Sequence, residues 1–79
     1  MEVLYQDYLI TDDKKLISPQ AVKTLLDGSY WAPDRSIELI EKTIRNSICV
    51  GVFDEEELVA FARVVTDKAV FAWIADVIV

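Results

Sequence analysis

The hydrophobic and polar positions change period twice along the chain. Residues 3 to 11, "VLYQDYLIT", show a mixed alternation that predicts a strand. After the charged "DDKK" the period becomes helical. Ser18 can N-cap, Pro19 suits the first helical position and Gly28 the residue past the end, while Ala21, Val22, Leu25 and Leu26 share one face. In "SYWAPDRS", Pro33 breaks regular structure before a second helix, which Asp34 or Ser36 can cap. There Ile37, Ile40 and Ile44 recur at helical spacing, and Glu38 with Lys42 and Glu41 with Arg45 form acid-first pairs on a solvated face.

From residue 47 the period falls towards two. The runs "SICVGVF", "ELVAFARVVT" and "AVFAWIADVIV" are rich in β-branched and aromatic residues and predict three strands. "DEEE" at 54 to 57 and "TDK" at 66 to 68 are short enough to join them as antiparallel hairpins. The fold class is therefore α+β, with a strand, two helices and a three-stranded antiparallel meander, the helices packed on a mixed sheet. In the last run both faces are apolar except at Asp76, which predicts a central strand covered on both sides. Two helices are too few to cover two sides of such a sheet, so one face or one edge should be bare.

Composition sharpens this picture. At 79 residues there is room for one thin core, yet 53% of the chain is hydrophobic, so some apolar surface is expected to meet a further partner. The net charge of -6 opposes attraction to nucleic acid or anionic lipid. With no histidine, His-based metal sites and His-based triads are excluded. Cys49, in the apolar "ICVGVF", reads as a buried inert thiol and cannot form an internal disulfide. The start shows no basic region followed by an apolar segment, and the terminal apolar run is about half the roughly 20 residues that span a bilayer. A reducing, cytoplasmic setting away from membranes is expected.

The order strand, helix, helix, meander, with "YWAPDRS" and the ending "WIADVIV", resembles the first half of a GCN5-related N-acetyltransferase (GNAT) domain. The resemblance covers nearly all of this chain and about half of the family domain, so residues 1–79 would form a single partial GNAT-like domain. It implies acyl transfer from acetyl-CoA to a small amine. In the family the last strand is followed by a basic, glycine-rich loop that opens a helix and holds the cofactor's pyrophosphate with backbone N–H groups. The only glycines here are Gly28 and Gly51, neither in such a pattern, so the expectation is a truncated domain, catalytically inactive by itself.

The same resemblance implies that Val77, Ile78 and Val79 contact acetyl-CoA through their main chain, and that Tyr30 and Trp31 help wall the amine pocket, although large aromatics there can equally plug the core. From the residues themselves, Asp76 is the one ionisable group in an apolar strand. Burial should raise its pKa unless a donor compensates, which would suit a proton acceptor; the alternative is a hydrogen-bonded carboxylate without chemistry. Arg63 is the matching oddity in the preceding strand and reads as a solvated edge position, unless the register brings it onto the face of Asp76. Glu55, Glu56 and Glu57 read as a solvated hairpin tip. The alternative to an enzyme is a homodimeric assembly module in which a second copy covers the last strand.

Overall fold

A computed structural model describes residues 1–29 and 34–79. The elements are β1 (Glu2–Tyr5), β2 (Tyr8–Thr11), α1 (Pro19–Asp27), α2 (Ile37–Arg45), β3 (Ile48–Asp54), β4 (Glu57–Thr66) and β5 (Ala72–Ile78). The strands form one sheet in the order β1-β2-β3-β4-β5, antiparallel throughout. Among the described residues no helix is long and apolar enough to cross a membrane.

The expected α+β arrangement is present, with three differences of detail. The segment predicted as one strand is a hairpin: Tyr5 pairs with Tyr8, and Gln6, at a φ of 55°, turns the chain. The polar Gln6–Asp7 pair that blurred the alternation is the turn itself. The sheet is antiparallel rather than mixed: every strand-to-strand step is a hairpin except β2 to β3, and since those two strands also pair antiparallel, the connection that carries α1 and α2 starts and ends at the same end of the sheet. Finally, β5 is not central but lies at the sheet edge. Among the described residues no second layer covers its other face, so two covering layers of these residues do not account for its apolar character on both sides.

Local chemistry sets the helices. The Ser18 Oγ accepts the Ala21 N–H at 3.2 Å, and the Ser36 Oγ accepts the Leu39 N–H at 3.1 Å, so each helix starts with a filled N-cap. Gly28 closes α1 but keeps a right-handed φ of −81°. Glu41 and Arg45 pair at 3.2 Å on the exposed side of α2.

Both helices lie on one side of the sheet. Val22 and Leu26 of α1 and Ile40 and Ile44 of α2 pack with Ile17 against Cys49, Leu58 and Phe61, and this is the whole buried apolar core among the described residues. Burying each such side chain stabilises the fold by roughly 1.5–3 kcal/mol. Gly51 is what lets the layers meet: a Cβ there would lie 3.0 Å from Leu58 Cδ1 and 3.3 Å from Ile17 Cγ1.

The opposite sheet face is uncovered by any described residue. The register sets Val3, Ile10, Val52 and Ala60 in one row across the strands, Val50, Ala62 and Val77 in the next, and Ile48, Val64 and Ile74 in a third. All are apolar. The bare face expected from the shortage of helices is this one.

Candidate functional site

The one buried carboxylate of the described residues lies at the open edge of the sheet. Asp76 is paired across the ladder with Arg63 and is 3% exposed. Just beyond them the register shifts, leaving Ala75 between Asp76 and Ile74 without its own partner on β4. The Arg63 Nε donates to Asp76 Oδ2 at 2.8 Å, and a terminal nitrogen of the same guanidinium donates to the Ser47 Oγ at 3.0 Å. From the segment preceding α2, Arg35 donates to Oδ2 at 3.0 Å and to Oδ1 at 3.4 Å. The carboxylate thus ties β5 directly to β4 and to the segment preceding α2, and through Arg63 to Ser47 at the entry of β3.

The electrostatics follow from those partners. Burial pushes the Asp76 carboxyl up, but the hydrogen bonds and positive charges of Arg35 and Arg63 outweigh it and hold the pKa below the usual carboxylate range. Both oxygens are occupied and the group is ionised, which makes it a weak proton acceptor and a strong anchor. Arg63, expected at a solvated edge, instead has a side chain only 14% exposed, because the antiparallel register sets it opposite Asp76.

A second carboxylate shapes the entry to β5. The Asp67 Oδ1 accepts the N–H groups of Ala69, Val70 and Phe71 at 2.9, 3.1 and 3.0 Å, and Thr66 Oγ1 donates to the Phe71 carbonyl. Those backbone donors hold the Asp67 pKa below its ordinary value. The hairpin is therefore longer than "TDK", running from Asp67 to Phe71, and β5 begins at Ala72 rather than at residue 69.

The other residues singled out in the sequence are dispersed. Val77 is exposed on the bare face, Ile78 packs against the core beside Phe61, and Val79 lies beyond the strand end, 94% exposed. None of the described residues pairs with the outer edge of β5, so its main chain faces outward there. Tyr30 and Trp31 lie outside the described residues. Cys49 is buried, its thiol pKa raised by burial, with a long contact of 3.8 Å to the Ile44 carbonyl. Glu55 and Glu56 form the exposed β3–β4 turn, and Glu57 opens β4.

Sequence reasoning missed Arg35 and Ser47. The signal for partners was present, since a lone acid in an apolar strand has to find donors if it is buried. Which donors could not be read, because Arg35 is 41 residues away and reaches Asp76 only through the placement of α2.

The comparisons with known proteins agree with this architecture. No family model matches the chain. A protein of Gibberella zeae described as a putative acetyltransferase is 28% identical over 91 residues, covering 90% of this chain and 51% of its own length. A crystal structure from Xanthomonas campestris pv. campestris, of a putative acetyltransferase belonging to the GNAT family, superposes with a TM-score of 0.79 at 35% identity, over 89% of this chain and 50% of that one. With the strand–helix–helix–meander order and the antiparallel register, these likenesses establish that the chain has a GNAT-like fold, spanning about half the length of the relatives it matches.

Proposed function

We propose that residues 1–79 supply the scaffold half of an N-acetyltransferase that transfers an acyl group from acetyl-CoA to a small amine. The observation that carries this reading is the fold likeness to the Xanthomonas protein at 35% identity, which extends over nearly the whole chain. The outer edge of β5 offers main-chain donors and acceptors that suit the amides of a pantetheine arm, with Val77, Ile78 and Val79 as the contact stretch. The residues present do not fit the rest of the cofactor. Gly28 caps a helix, Gly51 is buried beneath Ile17 and Leu58, and the two arginines near β5 are engaged by Asp76. Nothing in the described residues cradles a pyrophosphate.

On this reading the 79 residues alone bind acetyl-CoA weakly and transfer no acetyl group. Asp76 fastens Arg35 and the start of α2 to the edge strand and does not take the amine's proton. The free buried thiol of Cys49 suits a reducing, cytoplasmic setting.

A chimera tests the proposal. Residues 1–79 would replace the matched half of the Xanthomonas relative, and acetyl-CoA would be titrated calorimetrically into the chimera, the parent relative and the 79-residue chain. Saturable binding by the chimera and parent but not by the short chain is expected. A folded chimera that ignores a cofactor its parent binds would overturn the reading.

A further inference from the structure

A cleft of about 380 Å³ opens at the end of the sheet where β2 and β4 finish and β3 and β5 begin. Lys14, Arg45 and Lys68 line it against a single carboxylate, that of Asp12, in a chain whose net charge is -6. We infer that this cleft binds a small phosphate-bearing anion, inorganic phosphate or a short phosphomonoester, held by the three cations and the Ser47 hydroxyl.

The lining has donors to spare. Lys14 Nζ spends one of its three hydrogens on the Arg45 carbonyl at 3.2 Å, and among the described residues Lys68 Nζ spends none. Neither ammonium pairs with a described carboxylate, whereas Lys23, Arg35, Arg45 and Arg63 do. The Arg45 pair with Glu41 is exposed on both sides and worth little, so the guanidinium can exchange it for a stronger anion. The one acid of the lining is already engaged: Asp12 Oδ1 accepts the Met1 amino group at 2.8 Å. Ser47 adds a hydroxyl that is 7% exposed, accepts an Arg63 N–H at 3.0 Å and gives its own proton to none of the described residues.

The C-terminus of α2 reaches the same cleft, and bare carbonyls there would repel an anion. They are covered. The Lys42 carbonyl accepts the backbone and side-chain amides of Asn46, the Ile44 carbonyl accepts the Ser47 N–H, and the Arg45 carbonyl accepts Lys14.

The donor set also selects the ligand. Four groups from four separate segments converge, which suits a doubly charged tetrahedral oxyanion better than a planar carboxylate. The volume lies near the lower end of small-molecule sites, roughly 300–1,000 Å³, and Ile48 supplies an apolar wall, so a short carbon chain fits beside the phosphate. Unlike the bare sheet face, the cleft is lined by charge, which a covering layer of further chain would have to desolvate. From this end β5 runs roughly 20 Å to Ile78, so the cleft is separate from the stretch assigned to acetyl-CoA, and either reading can fail without the other.

The test is a heteronuclear NMR titration of the 79-residue chain with inorganic phosphate and with glycerol phosphate, at constant ionic strength and neutral pH. Saturable shifts centred on Lys14, Ser47 and Lys68 are expected, with a Kd of about 1 mM or tighter for the better ligand. Lys14→Gln and Lys68→Gln should each raise that Kd about 5-fold. Lys42→Gln removes the same charge from α2 outside the cleft and should leave the Kd nearly unchanged. Lys14 also caps α2, so circular dichroism accompanies each variant, and Lys68→Gln decides the matter if Lys14→Gln loses helix. Shifts that grow without saturating, or a Lys42→Gln effect equal to that of Lys68→Gln, would overturn the inference, because net charge alone would then explain the binding. Succinate binding as tightly as glycerol phosphate would overturn the assignment to phosphate.

Discussion

Replacing Asp76 with Asn tests the anchor at the sheet edge most directly. The side chain keeps its shape, loses its charge and faces two guanidinium groups whose side chains are 26% and 14% exposed. Removing one partner from a buried ion pair costs roughly 3–5 kcal/mol, because the remaining charge stays desolvated. Arg35 and Arg63 are only partly buried and can turn towards water, so a loss of about 2–3 kcal/mol is the better expectation. Against a total of about 4–12 kcal/mol for a chain of this length, that is a large fraction. Urea denaturation followed by circular dichroism at neutral pH should show a lower midpoint with an unchanged slope. The pH dependence gives a second readout. The folded-state pKa of Asp76 is lowered, so its stabilisation is present above the unfolded value and is lost as pH falls through the folded one. The stability gap between wild type and Asp76→Asn should accordingly shrink as pH falls below about 4. Asp12 and Asp67 also have lowered pKa values, but they are common to both proteins and cancel in the difference. Equal midpoints at neutral pH, or a gap that does not change on acidification, would refute the assignment of Asp76 as an ionised anchor.

Two further substitutions probe the scaffold. Gly51→Ala puts a methyl group against Leu58 and Ile17, and because the Leu58 contact is the far end of a flexible side chain, the cost should be about 1–2 kcal/mol in urea denaturation. An unchanged midpoint would mean that Ile17 does not sit tightly on the sheet. Glu55 holds a φ of 56° in the exposed β3–β4 turn, a conformation that costs an L-residue roughly 1–2 kcal/mol. Glu55→Gly should relieve more strain than it adds freedom to the unfolded chain and raise thermal stability by about 0.5 kcal/mol; a lower Tm would show that the turn is not strained at this position.

Much of the architecture was legible along the chain because it depends on local chemistry. Ser18, Pro19 and Ser36 announce helix starts through the orphan N–H groups they satisfy or remove, and Ile40 and Ile44 identify the buried side of α2 by period alone. The acidic "DEEE" marks its hairpin because a tight turn in solvent tolerates charge. The shortage of covering helices was also visible in the sequence, as a count of apolar strand faces against the helices available to bury them.

Long-range placement was not legible. Whether Arg63 faces solvent or Asp76 depends on a ladder register, and a shift of one residue would reverse every side chain of the strand. The partnership of Asp76 with Arg35 depends on how α2 is laid across the sheet, which no local pattern encodes. The position of β5 at an edge is likewise a property of the assembled sheet: the sequence determines that its surfaces are apolar, and only the tertiary structure decides which of them this chain can cover. Local propensities act over a turn or a strand, whereas burial and charge pairing join residues tens of positions apart, and for that reason the partners of the anchor, and which of the possible faces or edges is the bare one, emerge only in three dimensions.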